Sequence, residues 1–189
     1  VVEQVLAALE KSENKQMVLT SSTFELRQSN DRSDPISFEF LPDNDFRYVE
    51  QVETTDRLII IGGGHCALAL SEVMSRLGFH ISIFDDRPEL NTIEKNRFAD
   101  SVTIVETYEN IGEMVPSGGD VFVVVMTLGY ASDMQVIRRL IDRDFRYFGV
   151  LGSRAKVATM FRELQNEGLD LERLNSIRSP IGIPINSRT

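Results

Sequence analysis

Arg57-Leu58-Ile59-Ile60-Ile61-Gly62-Gly63-Gly64-His65-Cys66-Ala67-Leu68-Ala69-Leu70 is the stretch that decides the fold. Leu58 to Ile61 is a continuous apolar run, the composition of a strand buried on both faces of a parallel sheet. Three glycines turn the chain, and Leu70, Val73, Met74 and Leu77 then repeat at helical spacing. Gly78 is placed to end that helix. A strand, a glycine turn and a helix form the first half of a parallel crossover unit.

Downstream the pattern repeats. Ile81 to Phe84, Val102 to Val105, Val121 to Met126 and Tyr147 to Leu151 read as four more strands. Met134, Ile137, Leu140 and Ile141 line one intervening helix, and Ser132 with Gln135 has the spacing of its capping box. Val157, Met160, Phe161 and Leu164 line the next, which Gly168 is placed to end. Parallel strands need covering crossovers. The expected fold is therefore α/β, a Rossmann-like doubly wound parallel sheet with strand order 3-2-1-4-5. Beyond residue 170 the sequence reads as irregular, with Pro180 and Pro184 opposing a helix.

Upstream, residues 1–11 have helical apolar spacing and Gln16 to Thr20 reads as a strand. Ser21 to Pro35 reads as a polar loop. Ile36, Phe38 and Phe40 alternate with Ser37, Glu39 and Leu41. Pro42 to Asp45 is a turn cluster, and Phe46 to Val52 returns as a second hairpin arm. Residues 1–56 are thus a small α+β appendage, and residues 57–189 the Rossmann domain.

The turn fits G-x-G-x-x-A. Gly62 permits the tight bend, Gly64 lets a phosphate approach the backbone, and small Ala67 lets the helix pack closely on the strand. Gly63 lies between them. The helix start offers free N–H groups and a positive dipole end. Asp85 ends the second strand 21 residues after Gly64, where an acidic side chain takes ribose hydroxyls in a dinucleotide site. Arg87 is placed either to pair with Asp85 and Asp86 or to meet a ligand phosphate. Ligands of open α/β sheets sit outside the strand carboxyl ends. That rule adds Thr127 to Tyr130, and Gly152, Ser153 and Arg154, which form either an oxyanion corner or a simple N-cap with a solvated arginine. His65 is either a ligand contact or solvent-facing. Cys66 is either an activated thiol at a helix N-terminus or, the favoured reading, a small buried packing residue, and His80 reads as structural.

Tyr-x-x-x-Lys, a P-loop Gly-Lys-Ser/Thr and a His/Cys/carboxylate cluster are all missing from the sequence. A glycine turn without such partners argues for binding rather than catalysis, and neither catalytic residues nor a metal site are assigned. The 189 residues carry a net charge of −9, which argues against nucleic acid or an anionic membrane as partner. No apolar run approaches the roughly 20 residues of a membrane span. One cysteine and no signal-peptide pattern favour a reducing cytoplasm.

Leu58 to Leu70 resembles the opening of the Rossmann domain of the xanthine dehydrogenase accessory (XdhC/CoxI) family. So do Phe84-Asp-Asp-Arg-Pro-Glu89, Tyr147-Phe-Gly-Val-Leu-Gly-Ser-Arg154 and Ser179-Pro-Ile-Gly-Ile-Pro184. The resemblance implies an accessory factor that binds molybdenum cofactor, as molybdopterin or its nucleotide form. It implies delivery of that cofactor to a xanthine dehydrogenase-type molybdenum hydroxylase, and a homodimer. Cofactor contacts are then expected from Gly62, Gly63, Gly64, His65, Ala67, Asp85, Arg87, Thr127, Gly152, Ser153 and Arg154. The sequence departs from the family by lacking a Gly-Gly-Cys motif in a reduced or divergent N-terminal part. Thr127-Leu-Gly-Tyr130 stands where many members carry a histidine, and the C-terminus reads as truncated. The alternatives are an NAD(H)-binding sensor domain and, further off, a nicotinamide-dependent oxidoreductase.

Overall fold

The computed structural model describes residues 15–28, 36–52 and 55–183. The helix expected over residues 1–11 and Pro184 lie outside them. The chain divides into two compact units, residues 1–54 and 55–189.

The first unit is a four-stranded antiparallel sheet. Its strands are β1 (Lys15–Thr20), β2 (Phe24–Gln28), β3 (Ile36–Leu41) and β4 (Asp45–Val52), in the order β2-β1-β4-β3. Val18 and Val49 lie opposite each other across β1 and β4, and both are buried. Alternation places Phe38, Phe40 and Phe46 on the other face, where Phe38 packs on both of its neighbours. Strand β2 falls inside the segment expected to be a loop. Phe24 and Leu26 alternate there and pair with Leu19 and Met17 of β1, so cross-strand packing outweighs the polar composition around them.

The second unit is a five-stranded parallel sheet, β5 (Arg57–Ile61), β6 (His80–Asp85), β7 (Ser101–Ile104), β8 (Gly118–Val125) and β9 (Phe145–Val150). The order is β7-β6-β5-β8-β9, the expected doubly wound arrangement. Among the described residues six α-helices accompany it: α1 (His65–Ser75), α2 (Asn91–Glu94), α3 (Ile111–Met114), α4 (Tyr130–Leu140), α5 (Arg154–Asn166) and α6 (Leu171–Ser176).

The apolar run of β5 is buried on both faces. Ile59 and Ile61 enter one core with Val123, Val125, Ile137 and Leu140, while Leu58 and Ile60 enter the other with Ala67, Ile81 and Ile83. Each fully buried isoleucine stabilises the fold by roughly 1.5–3 kcal/mol. These two cores fix the sheet and therefore where its carboxyl-end loops emerge.

Two local expectations need correction. The segment after residue 170 contains α6. Asp170 caps it by accepting the Arg173 N–H at 2.8 Å, Leu174 anchors it in the core, and the prolines lie beyond its end. Helix α4 has no Ser132–Gln135 capping box: Gly129 is its N-cap, and Gln135 donates to Glu109 Oε1 at 2.6 Å. Gly78 ends α1 as expected: its φ is +80°, its N–H donates to Ser75 O at 3.3 Å and the Phe79 N–H donates to Met74 O at 3.4 Å.

Candidate functional site

The turn after β5 uses its glycines for different purposes. Gly62 has φ +108°, and a Cβ there would lie 2.4 Å from Met126 O, so the strand packing itself demands glycine. Its N–H donates to Phe84 O at 2.7 Å. The Gly63 peptide is held at both ends: its N–H donates to Asp85 Oδ2 at 2.5 Å, and its carbonyl accepts from the buried Thr92 hydroxyl at 2.6 Å. Gly64 differs from both. Its φ of −71° suits any residue, and a Cβ there would meet nothing within 4 Å. Gly64 is the N-cap of α1, no side chain caps the helix, and the N–H groups of His65, Cys66 and Ala67 have no hydrogen-bond partner among the described residues. Open space therefore faces bare first-turn amides, as an anion requires.

Asp85 was expected to offer its carboxylate to ribose hydroxyls. The structure buries it at 0% exposure. Oδ1 accepts from Arg87 N–H at 2.9 Å and Arg87 Nε at 2.8 Å, while Oδ2 accepts from Gly63 N–H and from Arg87 Nη2 at 2.7 Å. Burial opposes its ionisation, but the hydrogen bonds from Arg87 and Gly63 outweigh that and hold the carboxyl below its usual range. Asp85 therefore pins the glycine turn and orients Arg87. Arg87 makes the ion pair with Asp85, which in turn raises its pKa.

Thr127, after β8, donates its hydroxyl to Asp133 Oδ1 at 2.5 Å and sits 3.1 Å from Gly129 O. Asp133 is fully buried and accepts from Lys156 Nζ at 2.6 Å. This ion pair, joining α4 to α5 across 23 residues, carries no sequence signature. Ser153 caps α5, its hydroxyl accepting the Lys156 N–H at 3.2 Å, so the N-cap alternative holds there.

A cleft of about 780 Å³ opens outside the carboxyl ends of β5, β6, β8 and β9. Of the expected residues, Gly64, His65, Ala67, Arg87 and Thr127 line it. Gly62, Gly63 and Asp85 do not line it but hold the turn, while Gly152, Ser153 and Arg154 lie outside its lining. Leu151 lines it in their place. Cys66 lines it too, exposed rather than packed inside, because Ala67 takes the buried position beside it. Sequence reasoning missed Leu90, Asn91, Thr92 and Lys95 on and around α2. The rule that ligands lie beyond strand carboxyl ends, applied to β6, was the signal available. The charged lysine and arginine side chains of the lining are Lys95 and Arg87, and no carboxylate lines it.

A second cleft, about 570 Å³, runs between β9 and α6. Arg146, Arg173 and Arg178 line it beside Asp144, Asp170 and Glu172, so its charges are mixed. Among the described residues no group of three or more His, Cys, Asp or Glu side chains is placed to hold a metal ion, and no helix is long and apolar enough to cross a membrane.

Comparison with known proteins adds to this geometry. Residues 58–189 match the XdhC Rossmann domain. An uncharacterized Escherichia coli (strain K12) protein, YqeB, is 29% identical over 135 residues, which are 70% of this chain and 24% of that protein. A crystal structure described as a xanthine dehydrogenase from Bacillus halodurans shares the fold with a TM-score of 0.69 at 22% identity, over 99% of this chain and 58% of its own. The chain thus spans about a quarter of the curated relative and somewhat more than half of the solved one.

Proposed function

This chain belongs to the XdhC Rossmann-domain family through residues 58–189, and from that premise we propose that it is an accessory factor that binds molybdenum cofactor and delivers it to a xanthine dehydrogenase-type molybdenum hydroxylase. The observation that carries the reading is the corner at Gly64. Uncapped amides of α1 face open space in a cleft whose lysine and arginine side chains are Lys95 and Arg87.

Molybdopterin carries a phosphate, and the corner supplies what a phosphate needs: N–H donors, the positive end of a helix dipole and nearby cations. Leu68, Leu90, Met126, Leu128 and Leu151 give the cleft apolar walls for a flat heterocycle. The cofactor is cargo here, so the chain's task is to hold it, exclude water from it and release it.

Titration with molybdopterin tests the binding step. Saturable binding is expected, and no binding under conditions where an established carrier binds rejects it. Delivery is tested by mixing loaded protein with cofactor-free xanthine dehydrogenase. Activity should rise above that given by free cofactor, and equal activity rejects delivery. Native mass spectrometry of protein from its own host reads the ligand mass together with the homodimer expected from the family.

A further inference from the structure

We propose that Arg87 and Lys95 form a phosphate-reading subsite at the β6 side of the cleft, so that the site takes a nucleotide-like ligand bearing a phosphate there and discriminates against the same ligand with a bare ribose diol. The inference rests on the reading of this cleft as a ligand site.

An acidic residue at the end of the second strand of such a sheet ordinarily accepts hydrogen bonds from ribose hydroxyls. Asp85 occupies that position but has no capacity left. An ionised carboxylate has about four lone-pair sites. Four donors fill them: the backbone N–H groups of Gly63 and Arg87, and Nε and Nη2 of the Arg87 side chain. With Asp85 fully buried, a diol reaches it only by breaking charge-assisted hydrogen bonds that hold the glycine turn itself.

The same contacts leave Arg87 with donors to offer. A guanidinium has five N–H groups, and Asp85 takes one from Nε and one from Nη2. Three remain: the Nη1 pair and the second N–H of Nη2. The side chain is 30% exposed and lines the cleft, and its one further ion pair among the described residues is a 3.8 Å contact from Nε to Asp86. Asp85 thus fixes the fork in place while its remaining N–H groups are available to a ligand.

Lys95 follows α2 and is exposed, lines the same cleft and has no ion pair among the described residues. Its segment is tied to α1 by Asn96 Nδ2 donating to Ser71 Oγ at 3.0 Å. Asp85 offsets the charge of Arg87 from beneath the lining, so Lys95 supplies the positive charge of this side of the cleft and Arg87 supplies directed N–H donors.

Calorimetry of the full chain with NADP⁺ and NAD⁺, which differ by one ribose phosphate, tests the subsite. NADP⁺ should bind at least roughly tenfold more tightly. Lys95→Ala, at an exposed side chain with no ion pair among the described residues, should weaken NADP⁺ about fivefold or more and weaken NAD⁺ less. Arg87→Ala should abolish the preference, but it strands Asp85, so Lys95→Ala carries the test. Equal or tighter NAD⁺ binding, equal losses on both nucleotides in Lys95→Ala, or no binding of either nucleotide overturns the proposal. NADP⁺ preference without molybdopterin binding rejects the cofactor reading alone, and molybdopterin binding without that preference rejects the subsite alone.

Discussion

The turn at Gly62-Gly63-Gly64 and the turn at Gly152-Ser153-Arg154 both leave a parallel strand and both open a long helix, α1 of 11 residues and α5 of 13. They differ in what meets the new helix. Ser153 turns its hydroxyl onto the Lys156 N–H, and a Cβ at Gly152 would already touch Lys156 and Val157 at 3.3 Å. At Gly64 there is no side-chain cap and nothing within 4 Å. A helix N-terminus serves as an anion site only where the chain leaves its donors unmatched and the approach open.

The comparison breaks most severely at Gly62. Gly62→Ala combines a positive φ with a clash against Met126 O and should destabilise the fold by about 3–5 kcal/mol, read as a lower urea midpoint. A shift below about 1 kcal/mol would mean the turn does not need its glycine.

Asp85→Asn should cost about 2–4 kcal/mol near neutral pH by weakening the bonds that pin Gly63 and Arg87. The folded carboxyl is held below its usual range, so its contribution is present above the unfolded pKa and is lost as pH falls through the folded one. Wild type and variant should therefore converge in urea melts below the ordinary carboxylate range. A difference that persists undiminished into acid contradicts the ion-pair account.

Gly64→Val sharpens the comparison, because its backbone accepts valine. It should weaken molybdopterin binding about tenfold or more while costing no more than about 1 kcal/mol of stability. Unchanged affinity in the folded variant places the ligand elsewhere. Ser153→Ala is expected to be the mildest, losing about 1 kcal/mol for the missing cap with ligand affinity unchanged. A large affinity loss would restore the second corner as a binding element.

The sheet was legible because burial on both faces leaves an unmistakable apolar run, as in Leu58 to Ile61 and Val121 to Val125. Strand spacing also located Asp85 at the tip of β6. What spacing could not show is which way its oxygens face, since that depends on whether Arg87, two residues later, folds back onto them. For Ser153 and Arg87 the sequence left two readings open; each makes its local contact, and for Arg87 that contact leaves N–H groups over. Helix α6 and strand β2 are short, and packing decides each: Leu174 enters the core in one, and hairpin pairing with β1 holds the other. Lys95 escaped notice because its place in the cleft follows from the path of the chain after β6.

The central claim is that the first-turn amides of α1 hold the ligand's anion while those of α5 stay with their own cap. Amide-resolved ¹H–¹⁵N spectra during titration with molybdopterin test it most directly. The largest shifts should fall on Gly64, His65, Cys66 and Ala67, with Ala155 and Lys156 unmoved. Shifts centred on α5, or none at Gly64 to Ala67 on saturation, would contradict it.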